Sequence, residues 1–181
     1  MSRQSIVEHI PGLRRYARAL TADPWAADDL VQDTLERACS RWRLWLAGSD
    51  LRAWMFTVMH NLFVSEVRQQ QRRADWGRTV DLDEVVHELQ APASGQGSQI
   101  DLQRCLMQLP LNQRTVLLLV TLEDMSYAEV AKVTGVPVGT VMSRLSRARE
   151  RMRELLDAPA ATREPQPAAA PHPVPHLRRL K

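Results

Sequence analysis

The chain has 181 residues, of which 44% are apolar and 25% charged, enough for one medium domain or two small ones of ordinary globular composition. No apolar run approaches the roughly 18–20 residues that a bilayer span requires, and the start MSRQSIVEHI holds no apolar signal core. Membrane insertion and secretion are therefore not expected, and the cytoplasm is the expected compartment. A net charge of +3 conceals uneven placement: residues 137–153 carry five arginines against one glutamate, whereas 74–98 carry one basic and five acidic side chains. Such segregation points to a polyanion partner at one surface rather than to a generally sticky protein.

In chain order, Ile6, Ile10, Leu13, Ala17 and Leu20 recur at steps of four and three, which makes one apolar stripe on a first helix. Thr21-Ala22-Asp23-Pro24 breaks it. Asp23 can cap a second helix with Pro24 at its first position, where a missing N–H is harmless. That helix turns Leu30, Val31, Leu35 and Ala38 inward and is expected to run to about Leu46, before Gly48-Ser49-Asp50. A third helix, about 51–72, is expected to bury Met55, Val58 and Leu62, with Val67 on the same side. Cys39 and Cys105 stand alone, without metal-site spacing, and read as reduced, buried small residues. Residues 1–73 thus read as one all-α domain.

Periodicity fades over 74–98, where an acidic stretch gives way to APASGQGS; a flexible linker is expected. Helical order resumes near Gln99, with Ile100, Leu102, Leu106 and Leu109 available for packing. Pro110 interrupts it before a helix from Leu111 to Leu122. Residues 158–181 hold six of the 11 prolines and no period, so a disordered tail is expected. His172 and His176 lie there without companions that would make a metal site.

The stretch 99–157 carries the sharpest pattern. Ser126 and Glu129 have the spacing of a capping box. Val130, Ala131 and Val133 follow, Gly135 supplies a turn, and Pro137 restarts a helix. Two short helices across a glycine turn make a helix-turn-helix. On the second helix Val141, Leu145, Ala148, Met152 and Leu155 step by four and three toward the core, leaving Thr140, Ser143, Arg144, Arg147 and Arg151 outside. An arginine-rich face is ordinarily just solvated. Here the capping box, turn, restart and one-sided arginines together favour a helix laid into the DNA major groove. Thr140, Ser143, Arg144 and Arg147 fall where base edges are met, and Arg149, Arg151 and Arg153 where phosphates are.

Leu109-Pro110-Leu111-Asn112-Gln113-Arg114, Tyr127-Ala128-Glu129-Val130-Ala131 and the run from Gly139 to Arg149 resemble region four of bacterial sigma factors. Ala27-Asp28-Asp29-Leu30-Val31-Gln32-Asp33-Thr34-Leu35-Glu36-Arg37-Ala38 resembles region two. With no third domain between, the chain resembles the extracytoplasmic-function (ECF) group over about residues 5–156. The resemblance implies two small helical domains joined by a linker, the second holding the helix-turn-helix. It implies a surface of Asp29, Gln32, Asp33, Glu36 and Arg37 for the β′ clamp helices of core RNA polymerase, with the β flap as a further contact. It implies minus-10 capture by Trp54, Asn61, Arg68, Arg72 and Arg73, and minus-35 reading by Pro137, Gly139, Thr140, Ser143, Arg144, Arg147 and Arg151. Anti-sigma factors are common regulators of the group, so one is an expected partner.

The implied activity needs no catalytic residue or cofactor. No phosphate-cradling G-x-x-x-x-G-K-[ST] loop occurs, and no serine, cysteine or histidine stands in a nucleophile constellation. Capture of unstacked bases, worth roughly 1–3 kcal/mol each, can hold a strand open without nucleotide hydrolysis. Two rivals remain: a sigma-like decoy that binds anti-sigma factors without reading promoters, and a dimeric helix-turn-helix repressor that ignores polymerase.

Overall fold

The computed structural model describes residues 4–41, 50–74 and 97–157. Those residues form helices joined by short turns, with no strand among them: α1 (Gln4–Val7), α2 (Ile10–Thr21), α3 (Pro24–Ser40), α4 (Leu51–Ala74), α5 (Gly97–Met107), α6 (Leu111–Thr121), α7 (Tyr127–Thr134) and α8 (Val138–Asp157). The expected linker falls mostly, and the expected tail wholly, outside the described residues, as do Trp42, Trp45 and the end anticipated for α3 near Leu46.

Local chemistry sets most boundaries. The expected first helix is two pieces, because the chain turns at Glu8-His9 before Pro11 enters the first turn of α2. Helix α2 ends at Ala22, whose φ of 60° is left-handed. Asp23 caps α3 by accepting from the N–H groups of Trp25 at 2.8 Å and Ala26 at 3.4 Å. Leu30, Val31 and Ala38 are buried as the stripe required, with Leu35 packed beside them.

Three packing expectations need correction. On α4 the buried stripe is Met55, Phe56, Met59, Phe63 and Val67, whereas Val58 and Leu62 are only partly covered. The helix is rotated toward its larger side chains, whose burial removes more apolar area from water. Leu102 on α5 is 47% exposed, and Cys105, Leu106 and Leu109 carry that contact instead. Cys39 is exposed on the outer side of α3, so only Cys105 is a buried thiol.

The described helices close around a continuous apolar cluster running from Ile6 to Met152. Within it α2, α3 and α4 pack together, α5, α6 and α7 pack with α8, and α6 and α7 also lie against α2 and α4. Tyr16 meets Phe56 edge-on, with ring centroids 5.4 Å apart and planes at 73°. The two sequence halves therefore touch directly.

Candidate nucleic-acid and polymerase interfaces

Helix α8 has the two faces that its sequence implied. Val141, Leu145, Ala148 and Met152 are buried, which fixes the helix's rotation about its axis. Pro137, Gly139, Ser143, Arg147 and Arg151 then face solvent, with Thr140 and Arg144 half-buried. At its front, Ser126 and Glu129 form the capping box: the Glu129 carboxylate accepts from the Ser126 N–H at 2.7 Å, and the Glu129 N–H donates to Ser126 Oγ at 3.3 Å. Those bonds hold the Glu129 carboxyl below the usual carboxylate range, hydrogen bonding from Ser126 being the main cause. Gly135 takes φ +69° at the turn, as its position demanded. A Cβ at Gly139 would meet nothing within 4 Å, so that backbone stands open for close approach by another molecule.

Helix α3 presents a second surface. Asp29, Gln32, Asp33, Glu36 and Arg37 are all exposed, opposite Ala27, Leu30, Val31 and Thr34. Gln32 donates to Glu36 at 3.0 Å across one turn. Trp25, 84% exposed, begins the same face, since positions 25, 29, 32 and 36 align at helical spacing. The sequence does not single it out, because a tryptophan in the first turn of a helix fits core and surface equally well.

Helix α4 divides its expected residues. Asn61, Arg68 and Arg72 are exposed, Trp54 is half-buried against the core, and the side chain of Arg73 lies outside the described residues. His60, one position before Asn61, is largely covered. Burial, then the nearby charges of Arg144 and Arg68, push its pKa down to about 4. Arg144 of α8 therefore lies close enough to α4 to be felt there.

A further site joins the halves, and nothing in the sequence announced it. The loop between α6 and α7 carries Asp124 at φ 51° and turns Glu123 inward, 2% exposed. Arg15 of α2 reaches its carboxylate at 2.9 Å through Nη2 and at 3.1 Å through Nε. Arg52 of α4 reaches the other carboxylate oxygen at 3.1 Å and also donates to the Glu123 carbonyl. Gly12 makes room for this, because a Cβ there would sit 2.9 Å from Glu123 Oε2. Ion pairs between residues over 70 positions apart have no periodicity to betray them.

Comparison with known proteins agrees with this geometry. Residues 6–60 match the family model "Sigma2 domain of PhyR" and residues 99–152 match "Sigma-70, region 4". The ECF RNA polymerase sigma factor EcfG of Rhodopseudomonas palustris (strain TIE-1) is 36% identical over 157 residues, covering 85% of this chain and 84% of that protein. The ECF RNA polymerase sigma factor SigC of Mycobacterium tuberculosis (strain CDC 1551 / Oshkosh) is 31% identical over 132 residues, 73% of this chain and 71% of that one. Among solved structures, the sigma factor RpoE of Bartonella quintana, in complex with the anti-sigma factor NepR, superposes with a TM-score of 0.70. It is 34% identical and covers 86% of this chain and 96% of that one. CnrH, in complex with the cytosolic domain of CnrY, gives 0.62 at 25% identity, with 86% of each chain covered. With both region models in order along one chain and EcfG similar over most of both lengths, this protein belongs to the ECF group of RNA polymerase sigma factors.

Proposed function

We propose that this sigma factor divides its work between two units, residues 1–73 and 99–157, and that each exposed face described above has one task. The outward face of α3, with Asp29, Gln32, Asp33, Glu36 and Arg37 extended by Trp25, docks on the β′ clamp helices, and the 99–157 unit touches the β flap. Asn61, Arg68, Arg72 and Arg73 hold the melted minus-10 strand, with Trp54 forming the wall behind it. Helix α8 lies in the upstream major groove, where Thr140, Ser143, Arg144 and Arg147 read bases while Pro137, Gly139 and Arg151 meet the backbone. Polymerase supplies the catalysis, so the chain itself is not an enzyme and needs no cofactor. It works in the cytoplasm, where polymerase is; no described helix is long and apolar enough to cross a membrane.

The observation that carries this reading is the fixed rotation of α8: a buried stripe on one side leaves Ser143, Arg147 and Arg151 exposed on the other, with Thr140 and Arg144 half-buried at its margin. Arg144→Ala tests it. Affinity for duplex bearing the minus-35 element should fall by roughly 1–3 kcal/mol and discrimination at one base pair should relax. Equal loss on every sequence would instead make Arg144 a phosphate contact.

The relatives RpoE and CnrH are each bound to a partner, NepR and CnrY, which supports an anti-sigma factor as this chain's regulator. The match of residues 6–60 to the PhyR model favours one other reading, a decoy for such a regulator. A decoy has no use for a basic recognition face, and α8 keeps one. Failure to stimulate core polymerase on any promoter pool would favour the decoy.

A further inference from the structure

Two side chains on the outward side of α8 have no task among the polar readers. Met142 is 51% exposed and Val138 40%, and at a spacing of four they lie side by side on the opening turns of the helix. They border Gly139 and Ser143, which face solvent and belong to the proposed contact with duplex. A lone exposed apolar residue is ordinary on a protein surface. Two neighbouring ones on the margin of a reading face are covered only when α8 docks.

The rest of the same flank indicates what covers them. Arg149 and Arg153 continue the line of Met142 about two and three turns farther along, and both are exposed. The flank is therefore apolar at the front of the helix and basic behind. A groove on a partner protein takes apolar anchors repeated along a helix, whereas here the row stops at Met142 and arginines follow. The DNA major groove has the matching layout, with base edges under the front of a recognition helix and phosphates toward its rear. Among the base edges in that groove, the apolar group is the 5-methyl of thymine.

We propose that Met142, with Val138 beside it, reads thymine by covering its 5-methyl group when α8 lies in the minus-35 major groove. This rests on the groove docking proposed above and adds a specificity to it. The arginine and hydroxyl side chains read hydrogen-bonding edges, and this pair reads a group that neither donates nor accepts. The unbranched thioether chain of Met142 adapts to a methyl whose position shifts with local groove shape. Val138, branched and stiff about χ1, supplies a fixed wall beside it. Cytosine, which carries only a hydrogen at the same ring position, leaves both side chains without a partner.

The test uses the full chain assembled with core polymerase, on a promoter fragment from which it starts transcripts. Each thymine of the minus-35 element, on both strands, is replaced in turn by deoxyuridine, which removes the 5-methyl and keeps every hydrogen-bonding edge. At one or more positions the affinity, read by competition against the unmodified fragment, should fall about fourfold, the worth of burying one methyl-sized group. Met142→Ala should bind the thymine and uracil fragments alike, and Val138→Ala should narrow the difference by less. Met142 is exposed, so alanine there leaves the core intact, and the wild-type scan decides without any variant. Equal affinity for thymine and uracil at every position in the wild type would overturn the proposal, as would full discrimination by Met142→Ala. A Met142→Ala chain weakened equally on all fragments, with wild-type discrimination kept, would put Met142 against polymerase instead. A chain that starts no transcript sinks the promoter-reading function itself, whereas one that transcribes but ignores the methyl sinks this assignment alone.

Discussion

His60 shows how a single side chain can report on the contact between the two halves. Its neutral ring is favoured in the folded chain, with a pKa near 4 against an ordinary 6.5. A depressed value means that its contribution to stability is complete above about pH 6.5 and is lost as pH falls toward 4. Between pH 7 and pH 5 the loss should be about 1–2 kcal/mol, after discounting for the ring's partial exposure. Urea titrations at the two pH values should show it, and His60→Asn should flatten the difference. Parallel behaviour of variant and wild type would mean the ring is not held neutral. Single residues were also where the sequence was least informative. Asn61, Arg68 and Arg72, expected to hold the minus-10 strand, are exposed, whereas Cys39, read as buried, is exposed too, and Trp54 is half-buried. Only the helix's rotation in the fold decides between core and surface.

At the scale of the element, legibility follows how local the cause is. Asp23 before Pro24, Ser126 with Glu129, and Gly135 at the turn act within four residues of themselves, and each is found doing what its spacing implied. The α8 stripe at 141, 145, 148 and 152 was likewise visible because it is apolar at every step, whereas the arginines all fall outside it. Helix α4 was harder. Nearly every position from Ala53 to Val64 can pack, so two stripes compete, and contact with Tyr16 and the α7 side favours the one through Phe56 and Phe63. Ser126→Ala measures what the local signal is worth. Loss of the cap should cost about 1 kcal/mol, seen as a lower urea midpoint with an unchanged slope. An unchanged midpoint would show that tertiary packing alone holds α7.

Across the whole molecule, the division into two helical blocks could be read from periodicity, and the way they meet could not. Arg15, Arg52 and Glu123 converge from three separate segments, and no pattern in any one segment requires the others. On the proposed function, each helical block carries its own reading surface, and polymerase is what uses the two together. The most direct measurement is therefore run-off transcription with purified chain and core RNA polymerase on a pool of promoter fragments, with Asp33→Arg in parallel. Discrete transcripts should appear with the wild-type chain and fall sharply with the variant, as polymerase binding is lost while the helical signal is kept. A wild-type chain that neither binds core polymerase nor starts a transcript from any fragment would contradict the account.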